Sequence, residues 1–243
     1  NCYQGAQLRR HIQKVVFYFI FVSISWELEA KNELDLDTLK ATNECEKCDL
    51  RGVDLSQIDL TEANLKGAIL TEANLSGADL TSARLSGANL SSANLTGVNL
   101  KRASLMAADL RGVVLTSANL TGANLSSAEM MFANLISTDL SRSNLSRVDL
   151  AGANLEGATL SEANLSEANL AWANLVGADL ELVNMRRVNL SWANLDGADL
   201  RGIDLSKVDL SWAILSGANL NNAILIGANF NGADLRGANL RNA

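Results

Sequence analysis

Proline is absent from the 243 residues, aromatic residues make up only 5% of them, and there is a single histidine, His11. Each scarcity removes a class of function. With its one histidine ahead of the regular part of the chain, the protein cannot assemble a His-assisted serine or cysteine nucleophile there. Three cysteines, Cys2, Cys45 and Cys48, are too few for a disulfide framework. No Gly-rich loop with a phosphate-binding lysine occurs, and no cofactor is called for. The longest apolar run, residues 15–26, falls short of the about 20 residues that span a membrane as a helix. Basic residues are not in excess either. Lys and Arg number 20 against 27 Asp and Glu, a net charge of −7, which disfavours nonspecific nucleic-acid binding.

What is present is a count of five. From Leu50 to Leu240 every fifth residue is large and apolar, and only Met130, Met185 and Phe230 replace leucine. Two residues before each stands a small or β-branched residue, usually alanine, as at Ala63, Ala68, Ala73 and Ala78. Between them lies mostly Asn or Asp, for example Asn64, Asn74, Asp79 and Asn89. An uninterrupted short period implies a solenoid whose units touch only their neighbours.

The number of sides is readable from the outward positions. Of the ten positions from 57 to 237 spaced by twenty, seven are glycine; the columns starting at 52, 62 and 67 hold four of ten, two of ten and three of nine. Trp172, Trp192 and Trp212 also recur at intervals of twenty, whereas a fifteen-residue coil would stack Trp172 on Arg187 and Gly202. Twenty residues per coil means four sides. At the about 4.8 Å spacing of neighbouring strands, nearly ten coils make a rod about 47 Å long. The expected core includes Leu50, Leu70, Leu90, Leu110, Met130, Leu150, Leu170, Leu190, Leu210 and Phe230.

Ala63-Asn64-Leu65-Lys66-Gly67 and Ala78-Asp79-Leu80-Thr81-Ser82 match the unit A-[DN]-L-x-x, and over residues 48–243 the chain resembles the pentapeptide-repeat family. The resemblance implies an all-β fold, a right-handed quadrilateral β-helix with Leu and Ala inside. It also implies a structural or interaction role without catalysis. Some members of that family resemble duplex DNA and protect DNA gyrase. They use Phe more often at the central position and carry loops that break the stack, and this chain has neither feature. A duplex of about 47 Å carries about 28 negative charges, whereas residues 48–243, with 20 acidic and 14 basic side chains, net −6. The lead-in from Cys45 to Leu50 resembles that of cyanobacterial members and implies a periplasmic or thylakoid-lumen setting, with a cytoplasmic one as the alternative.

Ahead of the repeat, Arg9, Arg10 and Lys14 precede the apolar run 15–26. Residues 1–30 read as a signal or membrane-anchor segment, or as a helix docked on the stack. Residues 31–47 read as a linker with a short capping helix over 33–42, because a solenoid's terminal core needs a cover. Cys45 and Cys48 fall in inward columns, which suits buried packing; a disulfide between them is the second reading, and metal or redox chemistry the third.

Outside the tube, the most individual feature is a column of Phe132, Trp172, Trp192 and Trp212, interrupted by Gly152 and flanked by Met131. It reads either as a self-stabilising ladder or as a docking face for a protein or membrane, with a stacked small ligand as a third possibility. Asp59 with Asp79, and Asp179 with Asp199, stack one coil apart; such carboxylates share a proton, hold a cation, or simply hydrate. Arg147, Glu167, Arg187 and Lys207 form a mixed column beside Arg186 that reads as a solvated face. The apolar pattern runs to the last residues without a polar cap, so a homodimer through the C-terminal coil is expected.

Overall fold

The computed structural model describes residues 32–243, so the signal or anchor reading of residues 1–30 lies outside the described residues. Helix α1, residues 32–42, buries Leu39 against the end of the stack and packs Leu36 on the same core. It ends at Asn43, which takes the left-handed conformation (φ 59°) and donates its amide to the Leu39 carbonyl at 2.8 Å. The Asp35 carboxylate then accepts from the Asp49 amide at 2.8 Å, tying the helix to the first coil. Among the described residues, no helix is long and apolar enough to cross a membrane.

The rest is a four-sided tube. Parallel bridges join residues twenty apart from Glu44 with Asn64 to Asn219 with Asn239, so one coil takes four pentads. Each side is a single bridge residue between corners. Leucine amides donate to the carbonyl nineteen residues on, as Leu100 does to Asn119 at 2.7 Å. At each corner the chain closes a tight turn such as Leu60 to Ala63, whose amide reaches back to the Leu60 carbonyl at 3.0 Å. The second corner residue is left-handed throughout, even where it is Trp172, Trp192 or Trp212 (φ 64°, 62° and 60°).

Every pentad position follows from this geometry. Leucine fills the axis and is buried from Leu50 to Leu220, as are Met130 and Met185. Of the ten expected core residues, Phe230 alone is only partly buried, because it lies in the last coil and is stacked on one side. Alanine occupies the space left beside each leucine, and Thr138 and Ser143 replace it only by donating their hydroxyls to the Leu115 and Leu140 carbonyls at 2.7 Å. Asn and Asp do more than face solvent. Their side-chain oxygens accept from the amide two residues on, as Asp59 does from Thr61 at 3.0 Å, satisfying a corner donor that no backbone carbonyl reaches. The asparagine amides also bond one coil down, as Asn174 does to Asn154 at 3.1 Å.

One seam departs from the pattern. The amides of Gly177, Leu180, Leu182, Met185, Arg187, Asp199 and Asp204 lack the inter-coil partner that their equivalents have in neighbouring coils, and the bridges 179–199 and 184–204 are missing. Among the described residues this is the only such interruption between adjacent coils. The cause is legible in the small-residue columns. Val183 stands directly under Ile203, and Val188 under Val208, whereas elsewhere a branched residue in these columns is stacked on alanine. At Val183 and Ile203 two branched side chains share space shaped for methyl groups and overpack the core beside the missing 184–204 bridge, whereas the 189–209 bridge beside Val188 and Val208 is kept. Val183 and Ile203 are each 6% exposed where most of the core is at 0 or 1%.

Two outcomes follow. Leu145→Ala empties a mid-stack site with rigid neighbours and lowers unfolding free energy by about 2–5 kcal/mol in chemical denaturation; a loss under about 1 kcal/mol would contradict the packing. The corner-capping carboxyls give the second. Asp54, Asp59 and Asp79 are held below the ordinary carboxylate range by the hydroxyls and amides of Ser56, Thr61 and Thr81. The Arg236 guanidinium pushes Asp234 down to about 2. A carboxyl whose folded pKa is lowered stabilises the fold above its unfolded pKa and loses that effect as pH falls through the folded value. Thermal midpoints followed by circular dichroism therefore hold from pH 7 to about 5 and fall between about 4 and 2. A flat profile down to pH 2 would count against these caps.

Candidate functional site

The aromatic column sits on one corner of the tube. Trp172 and Trp192 stack with ring centroids 4.7 Å apart and planes within 4°; Trp192 and Trp212 stack at 5.1 Å and 9°. The centroid spacing equals the coil spacing, so the stack runs along the rod. Each ring leans towards the next coil. A Cβ on Gly152 would lie 2.7 Å from the Phe132 ring, and one on Gly232 2.6 Å from the Trp212 ring. Gly152 therefore does not simply interrupt the column; it gives Phe132 a surface to lie on, and Gly232 does the same for Trp212. The result is an apolar strip across six coils, about 24 Å long, with Met131 half-buried at its start. Exposure remains high, at 73% for Phe132, 62% for Trp172, 43% for Trp192 and 53% for Trp212.

The other singled-out residues are held more tightly by their neighbours. The bridge between Asp59 and Asp79 brings that pair together, but both carboxyls are held low by threonine donors, which leaves no proton to share near neutral pH. Asp179 and Asp199 face one another across the open seam without a bridge, and Asp199 is gripped by Arg201 at 2.6 Å. In the mixed column Glu167 pairs with Arg147 at 3.0 Å and with Arg187 at 3.8 Å, all well exposed. Exposed pairs of this kind contribute at most about 1 kcal/mol each. Cys45 and Cys48 are buried and joined by a disulfide, with Cα atoms 5.3 Å apart. At the far end Ile224, Ile226 and Leu240 are exposed beside partly buried Phe230 and Leu235.

Sequence reasoning missed the open seam. It forms a cleft of about 380 Å³ lined by Ala178, Asp179, Leu180, Glu181, Leu182, Asp199, Arg201 and Ile203. Its signal was available, because Val183 and Ile203 share a column with alanine or serine at every other position from Ala63 to Ala223. The cleft opens at the corner of residues 182 and 202, two sides away from that of residues 172 and 192. Cleft and aromatic stack therefore face opposite ways on the same pair of coils.

A family model described as pentapeptide repeats matches residues 48–87, 88–126, 128–166, 163–202 and 203–242. Among solved structures, the chain is similar to HetL, a pentapeptide repeat protein involved in heterocyst differentiation regulation from the cyanobacterium Nostoc sp., at 35% identity over 84% of this chain and 94% of that one (TM-score 0.32). It is similar to QnrB1, a plasmid-mediated fluoroquinolone resistance protein, at 22% identity over 66% of this chain and 88% of that one (TM-score 0.42). It is also similar to a pentapeptide repeat protein of the Arabidopsis thaliana thylakoid lumen, at 30% identity over 47% and 63% (TM-score 0.18). No curated protein matches the chain. With the family's unit repeated through almost every residue from 48 to 242 and bridges every twenty residues, the chain belongs to the pentapeptide-repeat family and folds as its right-handed quadrilateral β-helix.

Proposed function

We propose that this protein is a non-catalytic interaction rod whose aromatic corner is the contact face for a protein partner. The observation that carries this reading is the exposed strip from Phe132 to Gly232 on an otherwise polar wall. Its energetics favour contact over self-stabilisation. A left-handed backbone costs a residue with a Cβ about 1–2 kcal/mol, and a stacked aromatic pair returns about 0.5–1.5 kcal/mol beyond its burial. The ladder therefore adds little to the fold that glycine at the same corner would not supply. Contiguous exposed apolar surface of this kind usually marks a contact.

A gyrase-directed DNA mimic fits less well. Arg51, Arg111, Arg201 and Arg236 each pair at 2.6 Å with an aspartate on the same coil, so much of the acidic charge is cancelled in place. The Cys45–Cys48 disulfide supports work in an oxidising compartment such as a periplasm or lumen.

Replacing Trp172 and Trp192 together by glycine should leave the thermal midpoint within about 5 °C of the parent, since relieved backbone strain offsets lost stacking. The same change should remove the proteins retained by the immobilised full-length chain from a native extract. Retention of the same set, identified by mass spectrometry, would defeat the contact reading. Alkylation of the native protein without reductant should leave Cys45 and Cys48 unmodified; labelling of both would contradict the oxidising setting.

A further inference from the structure

The open seam is more than a packing fault, because of what it leaves unpaired. In the coil below, Leu160 and Glu162 donate to the carbonyls of Asp179 and Glu181 at 2.8 Å. One coil up, the matching amides of Leu180 and Leu182 face the carbonyls of Asp199 and Arg201 without bonding to them, and the Asp199 amide faces the Ala178 carbonyl in the same way. Both lips thus present donors and acceptors along one short side of the tube, Ala178–Leu180 below and Asp199 above, and on to the corner at Leu182 and Arg201. Unpaired strand edges are templates for another extended chain.

We infer that the cleft is a binding site for an extended peptide segment of a partner protein, held by backbone pairing to the lips at 178–182 and 199–203. Main-chain bonds give affinity in this mode and side-chain pockets give selectivity. The lining supplies both kinds of selectivity. Leu182 is 75% exposed at the mouth, while Val183 and Ile203 lie just inside, so one face of the peptide is apolar. Asp179, Glu181 and Asp199 line the opening with Arg201, which Asp199 holds at 2.6 Å. The rim is net acidic, so the flanking residues of the peptide are basic.

The cleft volume of about 380 Å³ lies at the lower end of the about 300–1,000 Å³ range of ligand pockets. It suits a few extended residues and excludes a folded domain. A full strand needs lips about 9–10 Å apart, two strand spacings. Binding therefore widens the cleft by rotation about the half of the seam that stays bonded. The Trp172–Trp192 stack spans that bonded half, diagonally opposite the mouth, and keeps the two coils in register while they part.

The test uses the full chain and a synthetic seven-residue peptide of alternating lysine and valine, acetylated and amidated. A second peptide of the same sequence carries N-methyl groups on alternate amides. In the free protein, hydrogen exchange at Leu180, Leu182, Met185, Arg187, Asp199 and Asp204 should be at least about 100-fold faster than at Leu160, Glu162, Leu165, Glu167, Asp179 and Asn184, one coil below. The unmodified peptide should bind by fluorescence anisotropy and slow those amides at least about tenfold, while the methylated peptide does not bind. Val183→Ala with Ile203→Ala restores the family's small residue at both places and should close the seam, slowing exchange without peptide and abolishing binding. The proposal is overturned if the free amides already exchange as slowly as those below. It is equally overturned if millimolar peptide fails to bind, if the methylated peptide binds as well, or if the double variant still binds.

Discussion

Backbone pairing between coils twenty residues apart is the constraint from which the rest follows. A coil spacing near 4.8 Å leaves room on each side for one leucine and one methyl-sized neighbour. That is why Ala recurs two positions before Leu, and why Thr138 and Ser143 enter only with their hydroxyls bonded inward. Corners must turn within two residues, which forces the second into the left-handed region whatever its side chain. The first corner amide then has no carbonyl in reach, and the Asn or Asp before the leucine supplies the acceptor. Where the constraint is violated, at Val183 under Ile203, the pairing is lost over half a coil.

Much of this was legible in the residues alone. The period of five gave the core, and the recurrence of glycine and tryptophan at intervals of twenty gave four sides, because stacking turns sequence distance into spatial contact. The aromatic column was visible for the same reason, and Trp172, Trp192 and Trp212 do share one corner. What was not legible depended on volume or on local hydrogen bonding. Gly152 looked like a gap until the tilt of Phe132 over it was known. The role of the Asn and Asp side chains is not visible in the repeat, since their bond to the amide two residues on requires the corner geometry. Cys45 and Cys48 pointed inward on either reading, and spacing alone did not choose between packing and a disulfide. The open seam went unseen because it arises from two residues in one column, each unremarkable by itself.

The two functional features are complementary consequences of one architecture. A solenoid of this kind keeps chemistry out of its interior and offers only its walls, corners and seams. One corner carries side chains that exceed what the fold needs, in the stacked indoles. The diagonally opposite corner exposes backbone that the fold normally consumes, at Leu180 and Leu182. Stacking on one side and opening on the other occur between the same pair of coils.

The most direct measurement is of scalar couplings across hydrogen bonds, from amide nitrogen to carbonyl carbon, in isotopically labelled protein. The account predicts a coupling from each leucine amide to the carbonyl nineteen residues on, such as Leu100 to Asn119 and Leu160 to Asp179, with a gap at Leu180, Leu182, Met185 and Arg187. Couplings at a fourteen-residue offset would mean a tube of three sides, and an unbroken series through residue 187 would mean a seam that is closed; either result contradicts it.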